Sequence, residues 1–197
     1  MSLEDALGIG LHARYARSGR LEELDAAIAA YEQALDTTPP DSPDRPSRLN
    51  NLGVGLRDRY ARSGRLEDLD AAIAAWQQAL TATPPDAPAR PTILTNLGNG
   101  LSARYARSGR LEDLDAAIAA CQQALAATPP DAPARPGYLN NLGNGLYARY
   151  IHNGRLSDLN AAIAAWQQAL AATPPDSPDR PSILNNLGIG QIGRAHV

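Results

Sequence analysis

Tyr15, Tyr60, Tyr105 and Tyr150 stand 45 residues apart, and around each of them nearly the same segment is written again. A chain built this way gives every unit the same faces, so each unit finds its partner surface in its neighbours. Stacking is the arrangement that satisfies all of them alike, and periods of this size mark repeat architectures.

One copy shows what the unit is. From Leu49 it reads LNNLGVGLRDRYARSG, then RLEDLDAAIAAWQQALTATPP, then a proline-rich stretch that leads to the next LTNLG. Leu49, Leu52, Gly53, Leu56 and Tyr60 fall at steps of three and four, and so do Leu66, Leu69, Ile73, Trp76 and Leu80. Both runs predict amphipathic helices. Ser63-Gly64 between them predicts a left-handed stop for the first helix, and Glu67, Asp68 and Asp70 set negative charge against the positive end of the second. After Thr83 the run PPDAP removes backbone donors and restricts the preceding residues, so the connection to the next unit is a stiff loop.

These residues resemble the tetratricopeptide repeat (TPR). That family carries W-x2-L-G-x2-Y in its first helix and A-x3-F with a later proline in its second, over about 34 residues. Leu49-x2-Leu52-Gly53-x2-Leu56 is similar to the first half, with leucines where the family prefers aromatics, and Ala72-x3-Trp76-x2-Ala79-x4-Pro84 is similar to the second. The unit is longer than the family's, which lengthens the first helix by about two turns and also the proline loop. Long repeats of this kind look like the arrays that precede CHAT domains, caspase-like Cys-His peptidase modules, and no such module is present here. The resemblance implies an all-α, right-handed α-solenoid of TPR-like helical hairpins over residues 1–190. Its units are 1–45, 46–90, 91–135 and 136–180, with a partial unit at 181–190.

Composition narrows the functional classes. The net charge is −3 with no block of one sign, so the electrostatic footprint of a nucleic-acid binder is missing. One cysteine excludes an internal disulfide framework. The start MSLEDALG lacks a basic segment followed by an apolar core, and no apolar run approaches the roughly 18 residues of a membrane span. The expected location is cytoplasmic, with no cofactor and no membrane or nucleic-acid partner.

Several motifs invite an enzymatic reading, and each has a packing explanation. Gly98-Asn-Gly100-Leu-Ser-Ala103 and Gly143-Asn-Gly145-Leu-Tyr-Ala148 match the dinucleotide fingerprint G-x-G-x-x-A. That fingerprint works after a strand, at the opening of a helix. Here the glycines recur inside a helix in every unit, Gly8/Gly10 and Gly53/Gly55 included, which points to close approach of a neighbouring helix. Cys121 occupies the place of Tyr31, Trp76 and Trp166 and reads as a small core residue. His12 and His152 have no second ligand at helical spacing, so no metal site is expected. The EDLD-like clusters read as helix starts. The expected chain is not an enzyme.

What varies between units is the better guide. Beside the apolar stripe of the first helix lie Asn50, Val54 and Arg57 in one unit, Thr95, Asn99 and Ser102 in the next, and Asn140, Asn144 and Tyr147 in a third, followed by Asn185. Next to them Asn51, Asn96, Asn141 and Asn186 form a ladder of amides. In TPR arrays the first helices line the concave groove, so the resemblance implies that these positions hold a protein or peptide ligand. For the amide ladder two readings stand: contact with a ligand backbone, or bracing between units. The expected function is a protein-interaction scaffold, the sensing or recruiting arm of a larger signalling protein; the alternative is a structural module that stacks end to end. With no lysine in the chain and Arg57 as the one arginine in the groove, a carboxylate clamp is not expected.

The far end departs from the pattern. Residues 181–190 open a fifth unit, and then Gln191 to Val197 replaces the expected LxxRY. Ile192–Val197 is the translation of a common sequencing-adapter string, so 191–197 reads as a non-native tail, the chain as a fragment, and His196 as irrelevant to chemistry. The apolar residues Ile183, Leu184, Leu187 and Ile189 are expected to be left uncovered and to promote self-association.

Overall fold

The structure, a computed structural model, describes residues 2–195. The described residues form helices and connections without strands: α1 Leu3–Ser18, α2 Leu21–Asp36, α3 Arg45–Ser63, α4 Leu66–Thr81, α5 Arg90–Ser108, α6 Leu111–Ala126, α7 Arg135–Asn153, α8 Leu156–Ala172 and α9 Arg180–Ala195. Odd and even helices are the first and second helices of the predicted unit. The extra length lies in the first helices: α3, α5 and α7 each have 19 residues against 16 for α2, α4 and α6. Part of it is recruited from the proline stretch: Pro46 and Pro136 sit in the first turn of α3 and α7, where a missing N–H costs nothing.

The turn inside each hairpin is set by glycine. Gly19, Gly64, Gly109 and Gly154 have φ of 69, 71, 70 and 68°, a conformation open to glycine at little cost. Each returns its N–H to a tyrosine carbonyl one turn back, as Gly64 does to Tyr60 at 2.7 Å. The second helices end differently. Thr38, Thr83, Thr128 and Thr173 donate their hydroxyls to Ala34, Ala79, Ala124 and Ala169 carbonyls. An arginine from the start of the next helix then reaches back: Arg90 Nη1 donates to the Leu80 and Thr83 carbonyls at 3.1 and 2.8 Å, and Arg135 Nη1 to those of Leu125 and Thr128 at 2.9 and 2.8 Å.

The chain packs as two compact units, Met1–Gly100 and Leu101–Val197. In the first, α1 packs on α2, α2 on α3 and α3 on α4. Leu24, Ala27, Ile28, Tyr31 and Ala34 of α2 and their counterparts Leu69, Ala72, Ile73, Trp76 and Ala79 of α4 are buried. Each fully buried leucine or isoleucine contributes about 1.5–3 kcal/mol. The glycines are seats for the aromatics: a Cβ on Gly53 would lie 2.5 Å from Trp76 Nε1, and one on Gly100 2.7 Å from the other edge of the same ring. One indole is thus clasped between the first helix of its own hairpin and that of the next. Tyr31 is seated on Gly8 in the same way, while Gly55 of the next first helix abuts Ile28; burial raises the Tyr31 hydroxyl pKa to about 12, helped by the Asp5 charge.

In the second unit α6 packs on α7, α7 on α8 and α8 on α9. Trp166 sits between Gly143 and Gly190 as Trp76 does between its glycines. Cys121 is buried, and burial raises its thiol pKa to about 11. Helix α9 continues unbroken through Ala195, beyond the point where the repeat pattern stops; His196 and Val197 lie outside the described residues. The expectation of an uncovered α9 needs correction at two of its four positions. Ile183 and Leu187 are buried, with Ile183 against Leu139 and Ala169, because the face that meets the preceding hairpin is complete. Leu184 and Ile189, on other faces, are 48 % and 42 % exposed.

The EDLD clusters do more than offset helix ends. Arg59 Nε and Nη2 hold both oxygens of Asp68 at 3.1 and 2.7 Å, and Nη1 reaches Asp25 of the preceding unit at 3.0 Å. Arg149 repeats this with Asp158 and Asp115, and Arg104 holds Asp113. Burial would raise the pKa of Asp68, but hydrogen bonds and charge from Arg59, then Arg65, outweigh it and hold the carboxyl below its usual range.

Candidate functional site

Within each first helix the varied positions share one face, because they recur at steps of four and three. In the first unit Asn50, Asn51, Val54 and Arg57 of α3 and Thr95, Asn96 and Asn99 of α5 are all half-buried. Asn96 Nδ2 donates to Asn50 Oδ1 at 2.9 Å, so the amide ladder makes a bond from one first helix to the next. The Thr95 hydroxyl turns back to the Pro91 carbonyl of its own helix. Arg57 donates through Nε and Nη2 to Asp58 Oδ1 at 3.1 and 2.7 Å, while the other oxygen of Asp58 lies 2.9 Å from His12 Nε2 on α1. Burial raises the pKa of Asp58, but hydrogen bonds from His12 and then Arg57 outweigh it and keep the carboxyl below its usual range.

His12 and Asp58 belong to this face, and neither is among the positions expected from the sequence. His12 stands at the register of Arg57, Ser102 and Tyr147, and the 45-residue spacing alone carries that information. Helical spacing of i+3 or i+4 finds partners along one helix, whereas Asp58 meets His12 from the next first helix.

In the second unit Ser102 of α5, Asn140, Asn141 and Tyr147 of α7 and Asn186 of α9 are half-buried, and Asn144 and Asn185 are exposed. Asn186 Nδ2 lies 3.0 Å from both Asn140 Oδ1 and Asn144 Oδ1, and Asn144 Oδ1 also accepts the Trp166 indole N–H at 3.1 Å. The Tyr147 ring is tilted against Trp166 and Tyr150, with centroids 5.7 and 6.1 Å away. This face presents amides, a hydroxyl and an aromatic ring, whereas that of the first unit carries the His12–Asp58–Arg57 cluster.

Of the two readings of the amide ladder, bracing describes Asn96 and Asn186: each donates to the preceding first helix. Gly98, Gly100, Gly143 and Gly145 of the fingerprint-like motifs lie within α5 and α7 rather than at helix starts, and Gly100, Gly143 and Gly145 abut side chains of a neighbouring second helix. Among the described residues no three His, Cys, Asp or Glu side chains come together as metal ligands would, and no helix is long and apolar enough to cross a membrane.

Comparison with solved structures identifies the architecture. The nearly identical TPR-like repeats of the kinesin light chain kind from Podosopora anserina align over 100 % of this chain and 90 % of theirs, with a TM-score of 0.70 at 17 % identity. The fold is a TPR-like α-solenoid. MamA aligns over 99 % of this chain and 86 % of its own, with a TM-score of 0.64 at 17 % identity. The first TPR domain of Spaghetti (RPAP3), solved with an HSP90 peptide, aligns over 78 % of this chain and 96 % of its own, with a TM-score of 0.54 at 19 % identity. No protein-family model matches the sequence, and a search of the curated proteins finds no match.

Proposed function

We propose that this TPR-like chain is a protein-interaction scaffold that binds a peptide or partner protein on its first-helix face and has no catalysis of its own. The observation that carries the reading is the division of labour on that face. Asn96 and Asn186 tie successive first helices together, while partly exposed positions beside them change from unit to unit: Val54 and Asn99, then Arg57, Ser102 and Tyr147. Braced helices that carry varied, accessible side chains are what selective contact requires. The RPAP3 domain supports the reading as a similar fold solved with a bound peptide. Within this proposal the chain is part of a larger cytoplasmic signalling protein of the CHAT-associated type, which it serves as the recruiting arm.

Affinity selection of a random peptide library on the immobilised protein, followed by titration of the selected peptides, tests the site. Arg57→Ala or Tyr147→Ala is expected to weaken binding about tenfold or more, the effect of losing roughly 1.4 kcal/mol, with helicity unchanged. Arg107→Ala, in the exposed last turn of α5, leaves it intact. Peptides indifferent to both face variants refute the assignment. End-to-end assembly is the second reading, supported by Leu3, Leu7 and Ile9 on α1 and Leu184, Ile189 and Ile192 on α9, all 42 % or more exposed. Sedimentation that shows reversible oligomers lost on Ile189→Ser favours it.

A further inference from the structure

Between the first two hairpins lies an ion pair with no equivalent elsewhere among the described residues. Arg48 Nη2 on α3 is 2.8 Å from Asp5 Oδ2 on α1, and the two side chains are 10 % and 8 % exposed. Arg48 Nη1 donates to the Ala34 carbonyl at 2.9 Å and to the Thr38 hydroxyl, and Asp44 stands at the rim, 3.9 Å from Nη2. Asp5 Oδ2 also accepts from the Ser2 backbone N–H at 3.0 Å. Even so, Asp5 Oδ1 and Arg48 Nε are buried with no partner.

A buried pair with unmet hydrogen bonds is a poor stabiliser, because withdrawing both charges from water is repaid only when the remaining donors and acceptors are satisfied. The chain itself contains the neutral solution. At the position of Asp5 the other units carry Asn50, Thr95, Asn140 and Asn185, and at the position of Arg48 they carry Leu3, Ile93, Tyr138 and Ile183.

We infer that Asp5–Arg48 is a registry element, which dictates that the α1–α2 hairpin, and neither another hairpin of this chain nor one from a second copy, stacks on α3. Near-identical units make such errors cheap, since the apolar faces are interchangeable. Any other hairpin placed against α3 sets Asn50, Thr95 or Asn140 against Arg48 and leaves a buried guanidinium without its counter-charge. The α1–α2 hairpin placed elsewhere sets Asp5 against Ile93, Tyr138 or Ile183 and leaves a buried carboxylate. Both errors are penalised by the same pair, and a charge is penalised far more than a mismatched methyl group.

The test is the double variant Asp5→Asn/Arg48→Ile, which reproduces the pairing of Asn50 with Ile93. Wild type and variant are unfolded in urea and refolded across a range of concentrations. Size-exclusion chromatography with light scattering, and native mass spectrometry of mixed isotope-labelled and unlabelled chains, then report which copies have exchanged hairpins. The double variant is expected to keep or raise the urea midpoint while its cross-stacked fraction grows several-fold with concentration; Asp5→Asn and Arg48→Ile alone lower the midpoint. Should the double variant fail to fold, Asn50→Asp/Ile93→Arg in the wild-type background copies the pair to the next junction and is expected to raise cross-stacking by making two junctions interchangeable. Faithful refolding of either variant overturns the inference, as does a double-variant midpoint as low as that of Arg48→Ile alone, since the pair would then act simply by stabilising.

Discussion

Trp76 and Trp166 occupy the same slot in two hairpins, with the same indole edge 2.5 Å from where a Cβ on Gly53 or Gly143 would lie, yet their N–H groups fare differently. Trp166 Nε1 donates to Asn144 Oδ1, whereas Trp76 Nε1 is buried without an acceptor. The residue at the Asn144 register in the Trp76 unit is Val54, which cannot accept. Val54→Asn should therefore repair the defect. A buried, unpaired donor costs about 1–3 kcal/mol, and valine and asparagine have similar helix propensity. Loss of the half-buried valine methyls returns up to about 1 kcal/mol. The net expectation is stabilisation by roughly 1 kcal/mol, or about 2–4 °C in melting temperature for a chain of this length. Because repeat arrays need not unfold in one step, the sharper assay is NMR of the two indole N–H resonances, with Trp166 as internal reference. Val54→Asn should shift the Trp76 resonance and slow its exchange with solvent; Val54→Ala should do neither. If the asparagine variant leaves that resonance unmoved and loses as much stability as the alanine variant, the reasoning from repeat equivalence is refuted.

Glycine to alanine changes should split by seat. Gly53→Ala drives a methyl into the Trp76 ring and should lower stability by about 1–3 kcal/mol, whereas Gly10→Ala, with nothing within 4 Å of the added Cβ, should raise it by up to about 1 kcal/mol in urea titration. Acid should weaken the fold in a definite window: Asp58, Asp68 and Asp158 have pKa values lowered on folding, so their contribution is present above the ordinary carboxylate value of about 4 and is lost as pH falls below it towards the folded pKa. Denaturant midpoints measured from about pH 6 to about pH 2 should fall below about pH 4, and Arg59→Gln should flatten the Asp68 part of that fall.

The helices, their glycine stops and the close approach at Gly53 and Gly100 were readable because each depends on spacing within one unit, repeated until the pattern is unmistakable. The inter-unit contacts were harder. Arg59 meets Asp25 across 34 residues, and His12 meets Asp58 across 46. Helical periodicity carries no signal for such pairs; they depend on how one hairpin is set against the next. Asn96 illustrates the limit: its invariance with Asn51 and Asn141 was visible, but whether it faced a ligand or Asn50 was a matter of register between helices. The Asp5–Arg48 pair was legible in principle as two departures from the repeat, 43 residues apart, that change charge together.

The proline loops look like the seams of this molecule, yet arginines stitch across them. Arg90, Arg135 and Arg180, each at the start of a first helix, clasp carbonyls at the end of the helix before the loop, and Arg45 at the start of α3 reaches the Thr38 carbonyl just past α2. Opening a second helix therefore strips partners from the next first helix, and the two ends loosen together. Across the glycine turns the arginine forks fall on carboxylates instead: Arg59 on Asp68, Arg104 on Asp113 and Arg149 on Asp158 tie each first helix to the second helix of its own hairpin. In terms of unfolding, neither kind of connection is a free hinge, and a helix that opens loosens its neighbours on both sides.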